Sequence, residues 1–291
     1  MTRCLTILFY LASSATCLQA QLGLGFKAGL SYMELEGPLE RTSDMVLEEY
    51  SFSSGFQIGV VFDYAFTDLV GMRAELLFSQ KGGRYKYEGD GYFFVSPANQ
   101  IVARGNKLIE LDIVNTYIDI PITAYYKVGK FEIHGGAVLG LLVGSKARGI
   151  RQFNGTVLGS GETIERFEQS LDYNYGSDRA QGFLSGEAIR LMSGAVLPKT
   201  PGAYFDYPPL PPNVITQPTL YRRFELGLVG GITYFPNKGL GFGARYHYGL
   251  SDVTDEAADI SQIELTGSNG LVTRNDDDKN RGLQFSIMFL F

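Results

Sequence analysis

The sequence predicts an all-β chain, an eight-stranded antiparallel up-and-down transmembrane β-barrel with short periplasmic turns and long extracellular loops. Three observations predict it. The last ten residues, Gly282–Phe291 (GLQFSIMFLF), place Leu283, Phe285, Ile287, Phe289 and Phe291 on one side of a strand and Gly282, Gln284 and Ser286 on the other. Such alternation separates the two faces of a strand. A large, aromatic set on one face suits lipid, which makes these five residues the expected membrane-insertion signal. Seven further segments alternate in the same way. The connections between the eight run long, short, long, short, long, short, long, which is the asymmetry of an outer-membrane barrel whose ends both lie on the periplasmic side.

Composition narrows the alternatives. The 291 residues are 45% hydrophobic, with no run near the roughly 18 apolar residues a membrane helix needs. Gly 36, Tyr 18 and Phe 20 favour strands over helices and supply aromatics for membrane interfaces. A net charge of −6 with no basic cluster argues against a nucleic-acid partner. Residues Met1–Ala20 read as a signal peptide for export to a bacterial outer membrane. Arg3 supplies the positive end, Leu5–Leu11 the apolar core and Ala20 the cleavage position, although Leu18 stands where a small residue is usual. Both cysteines, Cys4 and Cys17, fall in this segment, so the expected mature chain, 21–291, needs no disulfide. A lipid anchor on Cys17 is the weaker reading, because Ser14-Ala15-Thr16 is a poor lead-in.

In chain order, Leu22–Tyr32 is the first strand, with Leu22, Leu24, Phe26, Ala28, Leu30 and Tyr32 outward and glycine-rich small residues facing a narrow lumen. Residues 33–53 read as a polar loop. Gly55–Tyr64 and Val70–Gln80 form a tight pair, with Gln57, Asp63, Arg73 and Glu75 inward. Residues 81–110 read as a second long loop because of their glycines and Pro97. Asp112–Lys127 is the fourth strand, with a local irregularity expected at Pro121, and Phe131–Ser145 returns. Residues 147–220 form a large loop insertion that holds seven of the eleven prolines and two short helix candidates, Glu162–Leu171 and Glu187–Leu197. Phe224–Tyr234 and Leu240–Leu250 flank the turn Pro236-Asn237-Lys238-Gly239. Residues 251–281 are an acidic loop before the closing strand.

Several strand segments carry a resemblance: GFKAGLSY at Gly25–Tyr32, ELLFSQKG at Glu75–Gly82, YIDIPITAYYKV at Tyr117–Val128, FEIHGGAVLGLL at Phe131–Leu142, FGARYHYGLSDV at Phe242–Val253, and the terminal strand. In this order they resemble the Bacteroidetes outer-membrane β-barrel family named after PorT, also called porin-family proteins. The resemblance covers most strands and none of the loops. It implies an eight-stranded barrel and, through PorT itself, an association with type IX secretion. The insertion at 147–220 departs from the family pattern.

The candidate chemistry is inward. Lys27, Arg73, Lys127, Arg223 and Arg245 face Asp63, Glu75, Asp119, Glu132 and Glu225, a near-balance that predicts a paired, plugged lumen. Of the two histidines, His134 sits near the short-turn end and His247 near the long-loop end, too far apart for one site. His247, Ser251 and Asp252 are similar to the His/Ser arrangement of outer-membrane lipid A deacylases, but there the serine follows by two positions and here by four. No catalytic or cofactor-binding residue is assigned. Asp252, Asp255, Glu256, Asp259 and Asp276–Asp278 offer oxygens suited to Ca²⁺ without EF-hand spacing, so solvated loop charge and no metal are expected. Tyr204, Phe205, Tyr207 and Tyr221 are the loop binding candidates. The expected partners are outer-membrane lipid, the barrel-assembly machinery during insertion, and a protein at the extracellular loops. The leading expectation is a non-enzymatic structural or accessory component of a secretion or uptake assembly. A small porin or transporter and a rim-located lipid-modifying enzyme are the alternatives.

Overall fold

A computed structural model describes residues 22–96, 100–178, 187–192, 194–207, 219–267, 269–274 and 276–291. The signal segment and residues 208–218 of the Pro/Tyr stretch lie outside them. The described strands are β1 (Leu22–Glu36), β2 (Glu48–Ser51), β3 (Ser53–Ala65), β4 (Val70–Ser96), β5 (Ile101–Val128), β6 (Phe131–Val157), β7 (Thr163–Asn174), β8 (Ala188–Arg190), β9 (Val196–Pro198), β10 (Phe224–Tyr234), β11 (Leu240–Gly249), β12 (Ile260–Leu265), β13 (Leu271–Thr273) and β14 (Lys279–Leu290).

Eight of these close on themselves. Antiparallel pairing runs β10–β11–β14–β1–β3–β4–β5–β6, and β6 returns to β10 from Phe224↔Leu141 to Tyr234↔Phe131. The ring contains all eight strands read from alternation. In the membrane-spanning part of the ring, one face of each strand is exposed and apolar: Leu24, Phe26 and Leu30 on β1, Ile120 and Ile122 on β5, Leu226, Leu228 and Ile232 on β10, and Leu283, Phe285, Ile287, Phe289 and Phe291 at the carboxyl end. Aromatic pairs gather toward both ends of this belt. Phe26–Phe291, Tyr64–Phe66 and Phe131–Tyr234 lie near the short turns, with Tyr32–Phe285 and Phe56–Phe78 toward the long connections. Such girdles mark the two interfaces of a spanning barrel. Glycine lets neighbouring strands approach: a Cβ at Gly29 would meet the Phe285 carbonyl oxygen at 1.9 Å.

Several loop assignments are corrected. Residues 81–96 and 101–110 are strand: β4 and β5 run 27 and 28 residues, against the 9–11 or so that span a membrane, and their pairing reaches from Val70↔Tyr126 out to Ser96↔Ile101. The insertion at 147–220 continues β6 to Val157 and turns into β7, which pairs back on it. Glu162–Leu171 is therefore strand, not helix. A bulge opposite Asn154 inserts one residue between the inward Ile164 and Phe167, and with Leu171 this leaves the i, i+3, i+7 spacing of a helix face. Glu187–Leu197 contains the small hairpin β8–β9 rather than a helix. β1 and β2 occupy part of the 33–53 loop, and β12 and β13 part of 251–281. The irregularity expected at Pro121 appears on its β4 side, where pairing lapses between Ala74↔Ile122 and Leu77↔Asp119; on its β6 side Pro121 pairs in register with Val138, and a register shift falls between Thr116 and Tyr117.

Together β2, the outer halves of β4–β6, β7 and the connections at that end form a folded cap over one mouth of the barrel. Its core has two parts, one around Leu35, Leu47, Tyr87, Ile109, Leu111, Tyr175, Tyr204 and Tyr221, and one around Phe93, Phe153, Phe167 and Leu197.

The belt predicts a face-dependent penalty. Ile287→Arg, outward and near mid-strand, is expected to cost about 2–4 kcal/mol in lipid, while Ser286→Ala on the inner face leaves stability nearly unchanged. Guanidinium unfolding in phospholipid vesicles reads both. Equal effects would mean that the outward face does not meet lipid.

Candidate functional site

Alternation that turns apolar residues outward turns the polar ones into the lumen, where the small radius brings them into contact. Three layers result. Nearest the short turns, Arg73 lies 2.7 Å from Asp63 and 2.6 Å from Glu132, and Tyr125 donates its hydroxyl to Asp63 at 2.9 Å. In the middle, Glu75 accepts from Lys27 at 2.9 Å and from Arg245 at 2.8 Å, while Arg245 also donates to Gln284 and Gln57. Nearest the cap, Lys81 bridges Asp119 at 2.9 Å and Glu225 at 2.8 Å. His247 Nε2 stands 2.8 Å from Glu225 Oε1. The Lys81 ammonium also lies 4.6 Å from the centre of the Tyr117 ring. Every charged member of the three layers is buried. Opposite charges at these distances, with further donors satisfying the carboxylates, offset the cost of removing them from water.

The structure thus brings together Lys27, Asp63, Arg73, Glu75, Asp119, Glu132, Glu225 and Arg245. It does not bring in Arg223, which is exposed. That residue precedes the first residue of β10, so strand alternation no longer directs its side chain. Lys127 is half-buried at the short-turn end, 5.1 Å over the Tyr125 ring and apart from the three layers. Sequence reasoning placed Gln57 and Gln284 on the inner face without joining them to the charges, and missed Lys81 and His247 as members. Lys81 was hidden because it continues β4 past the point where the loop was placed. His247 is wholly buried on Glu225, whereas Ser251 Oγ accepts from the Leu226 backbone N–H at 2.9 Å. The two side chains have separate partners, and the deacylase-like arrangement is not formed.

The cap has its own polar interior. Tyr204 and Tyr221 are 1% and 3% exposed, Phe205 is buried and Tyr207 half-buried, so the loop binding candidates are core residues rather than a presented surface. Tyr204 donates to the Tyr175 carbonyl at 3.0 Å and accepts from the Leu220 N–H at 2.8 Å. Arg151, buried, is held by Gln169 and by an ion pair to Asp206. These groups enclose a cavity of about 130 Å³ whose wall includes Tyr50, Tyr207, Tyr221, Glu48, Asp259, Asp278 and Arg274. The acidic segment is solvated only in part: Glu256 and Asp277 are exposed, whereas Asp276 is 5% and Asp278 2% exposed. Burial, then hydrogen bonding to Asp276, pushes the Asp259 carboxyl up to about 9, and burial with the neighbouring Asp276 charge pushes Asp278 up to about 8.

A closed ring of eight strands, an apolar belt and a side-chain-filled lumen define a small outer-membrane β-barrel. The sequence model of the family described as Outer membrane protein beta-barrel domain matches residues 18–255. The chain belongs to that family, and its place is the outer membrane. No curated protein sequence matches it. Among solved structures, it is similar to Ail, the attachment invasion locus protein of Yersinia pestis, at 10% identity and TM-score 0.34, covering 93% of this chain and 99% of that one. OprG of Pseudomonas aeruginosa is similar at 13% identity and TM-score 0.31, with coverage of 92% and 97%. Neisserial surface protein A is similar at 11% identity and TM-score 0.29, again covering 92% and 97%.

The middle layer gives a charge test. Glu75→Gln leaves Lys27 and Arg245 facing each other without an anion and is expected to cost about 3–5 kcal/mol. Lys27→Met leaves the Glu75–Arg245 pair intact and costs much less. Guanidinium unfolding in vesicles checks the order; the reverse order would show that the middle layer is not a charge-compensated unit.

Proposed function

We propose that this protein is a non-enzymatic, non-conducting outer-membrane barrel that acts by contact through its cap, which stands on the extracellular side. The observation that carries this reading is the lumen. Three buried ion-paired layers cross an interior that, in an eight-stranded barrel, is just wide enough for its own side chains. That leaves no aqueous path for a porin. The cap supports the contact role: β4, β5 and β6 extend far beyond the length a bilayer requires and carry a packed core of their own. Nothing in closing the barrel demands it. In line with the PorT-like resemblance, the role is that of an accessory or interaction component of an envelope assembly. A rim enzyme is disfavoured because His247 is engaged inside the lumen.

Conductance is the direct test. The purified barrel in planar bilayers is expected to give no steady ohmic current, and a reproducible unitary conductance would overturn the non-conducting reading. Orientation is tested by cysteine labelling, since both native cysteines precede residue 21. A Ser160→Cys variant at the exposed β6–β7 turn is expected to react with an impermeant maleimide in intact cells. A Lys130→Cys variant at a short turn is expected to react only after lysis. The opposite pattern would place the cap in the periplasm.

A further inference from the structure

We propose that the cap binds a divalent metal ion, calcium by its ligand chemistry, among Asp259, Asp276 and Asp278. One carboxylate oxygen from each lies within 4.8 Å of those of the other two. Oxygens around a calcium ion at about 2.4 Å are separated by up to about 4.8 Å, so the three can share one ion with modest adjustment. Every donor is a hard oxygen, the set that selects calcium over softer transition metals.

The cluster is more than acidic residues near one another. Asp276 and Asp278 are more than nine-tenths buried, Asp259 and Asp276 meet each other, and Asp278 Oδ1 has no hydrogen-bond partner. Buried carboxylate oxygens without a donor are costly. The nearby cation does not balance them. Arg274 pairs with Asp276 Oδ2 at 2.8 Å, but the same guanidinium is shared with Glu48 at 2.7 Å. Asp252, the other close carboxylate, is already matched by Arg222 at 3.0 Å. Among the described residues that guanidinium is divided between Glu48 and Asp276, and no cation pairs with Asp259 or Asp278.

The site is also held in place by backbone. Val253 N–H donates to the Asp278 carbonyl at 2.8 Å, and Arg274 N–H to the Asp259 carbonyl at 3.1 Å. Asp252 Oδ1 accepts from the Asp278 N–H at 3.1 Å. These bonds tie 251–259 to the stretch leading into β14, so the carboxylates meet through the fold itself. Gly37 completes the enclosure, because a Cβ there would lie 2.0 Å from Asp278 Oδ1. Asp259 and Asp278 also form part of the cavity wall, which gives an ion and its remaining water ligands room.

The protein supplies its own reporter, having no tryptophan and seven tyrosines, Tyr50, Tyr207 and Tyr221 among them, on the same cavity wall. The full-length barrel in detergent, stripped with EDTA, is titrated with Tb³⁺ and excited through tyrosine. Saturable luminescence that Ca²⁺ displaces is expected. It should weaken more than about tenfold in an Asp276→Asn/Asp278→Asn variant, since affinity follows ligand charge. Because these amides remove buried charge, the variant should keep its fold, checked by heat-modifiable gel mobility. As a second readout, Ca²⁺ is expected to slow protease nicking of the wild-type cap but not of the variant. The same Tb³⁺ response in wild type and variant, no displacement by Ca²⁺, or wild-type nicking indifferent to Ca²⁺ would overturn the proposal.

Discussion

The structure depends on the pairing of β6 with β10. In a bilayer no water reaches an open sheet edge, so every backbone N–H and C=O must find a partner within the sheet. That constraint is met only when the eighth neighbour returns to the first. Closure of so few strands sets a small radius. The small radius obliges inward side chains to touch, and inward side chains on strands that face lipid are polar by elimination. The lumen charges are thus a consequence of closure. What selection had to settle was their signs, so that Glu75 meets two cations, Lys81 meets two anions and Arg73 joins Asp63 to Glu132.

The same closure separates two kinds of β-structure in a single strand. Below the mouth, β5 alternates because one face meets lipid. Above it, Ile109, Leu111 and Ile113 alternate with Glu110 and Asp112 because one face meets the cap core and the other meets solvent. β5 keeps its alternation across the boundary, where β6 takes up one extra residue between Thr116↔Gly144 and Tyr117↔Leu142, and the medium on the outer face changes. On that outer face, Arg84 stands beside Asp112, Asp112 beside Arg148, and Arg148 beside Asp172. Opposite charges on neighbouring strands contribute modestly.

This change of medium explains what the sequence could show. The eight spanning segments were legible because lipid demands apolar residues at every second position with few exceptions, as in Leu283, Phe285, Ile287 and Phe289. The lumen set was mostly legible by the complement of that rule. It failed at Arg223, outside the strand that would have aimed it, and at Lys81, inside a strand taken for loop. The cap was not legible. Its outer face tolerates any polar residue and its glycines mimic loop composition, while the bulge near Arg166 turns a two-residue period into a helical one. The buried tyrosines of 204–221 gave no signal of direction, since an aromatic in a proline-rich segment is equally suited to a core or a contact.

The cap also reverses the logic of the lumen. Inside the barrel, each buried carboxylate has at least one cation within about 3 Å, and the layers need nothing from outside. In the cap, Asp259, Asp276 and Asp278 are gathered by backbone hydrogen bonds into a space with one shared guanidinium. Leaving them in excess costs folding energy. Such a cost persists where something bound in the folded state offsets it, and a bound cation is the species these oxygens are fitted to hold. On this argument the barrel is self-sufficient and the cap is conditional, with its rigidity tied to an ion taken from the medium it faces.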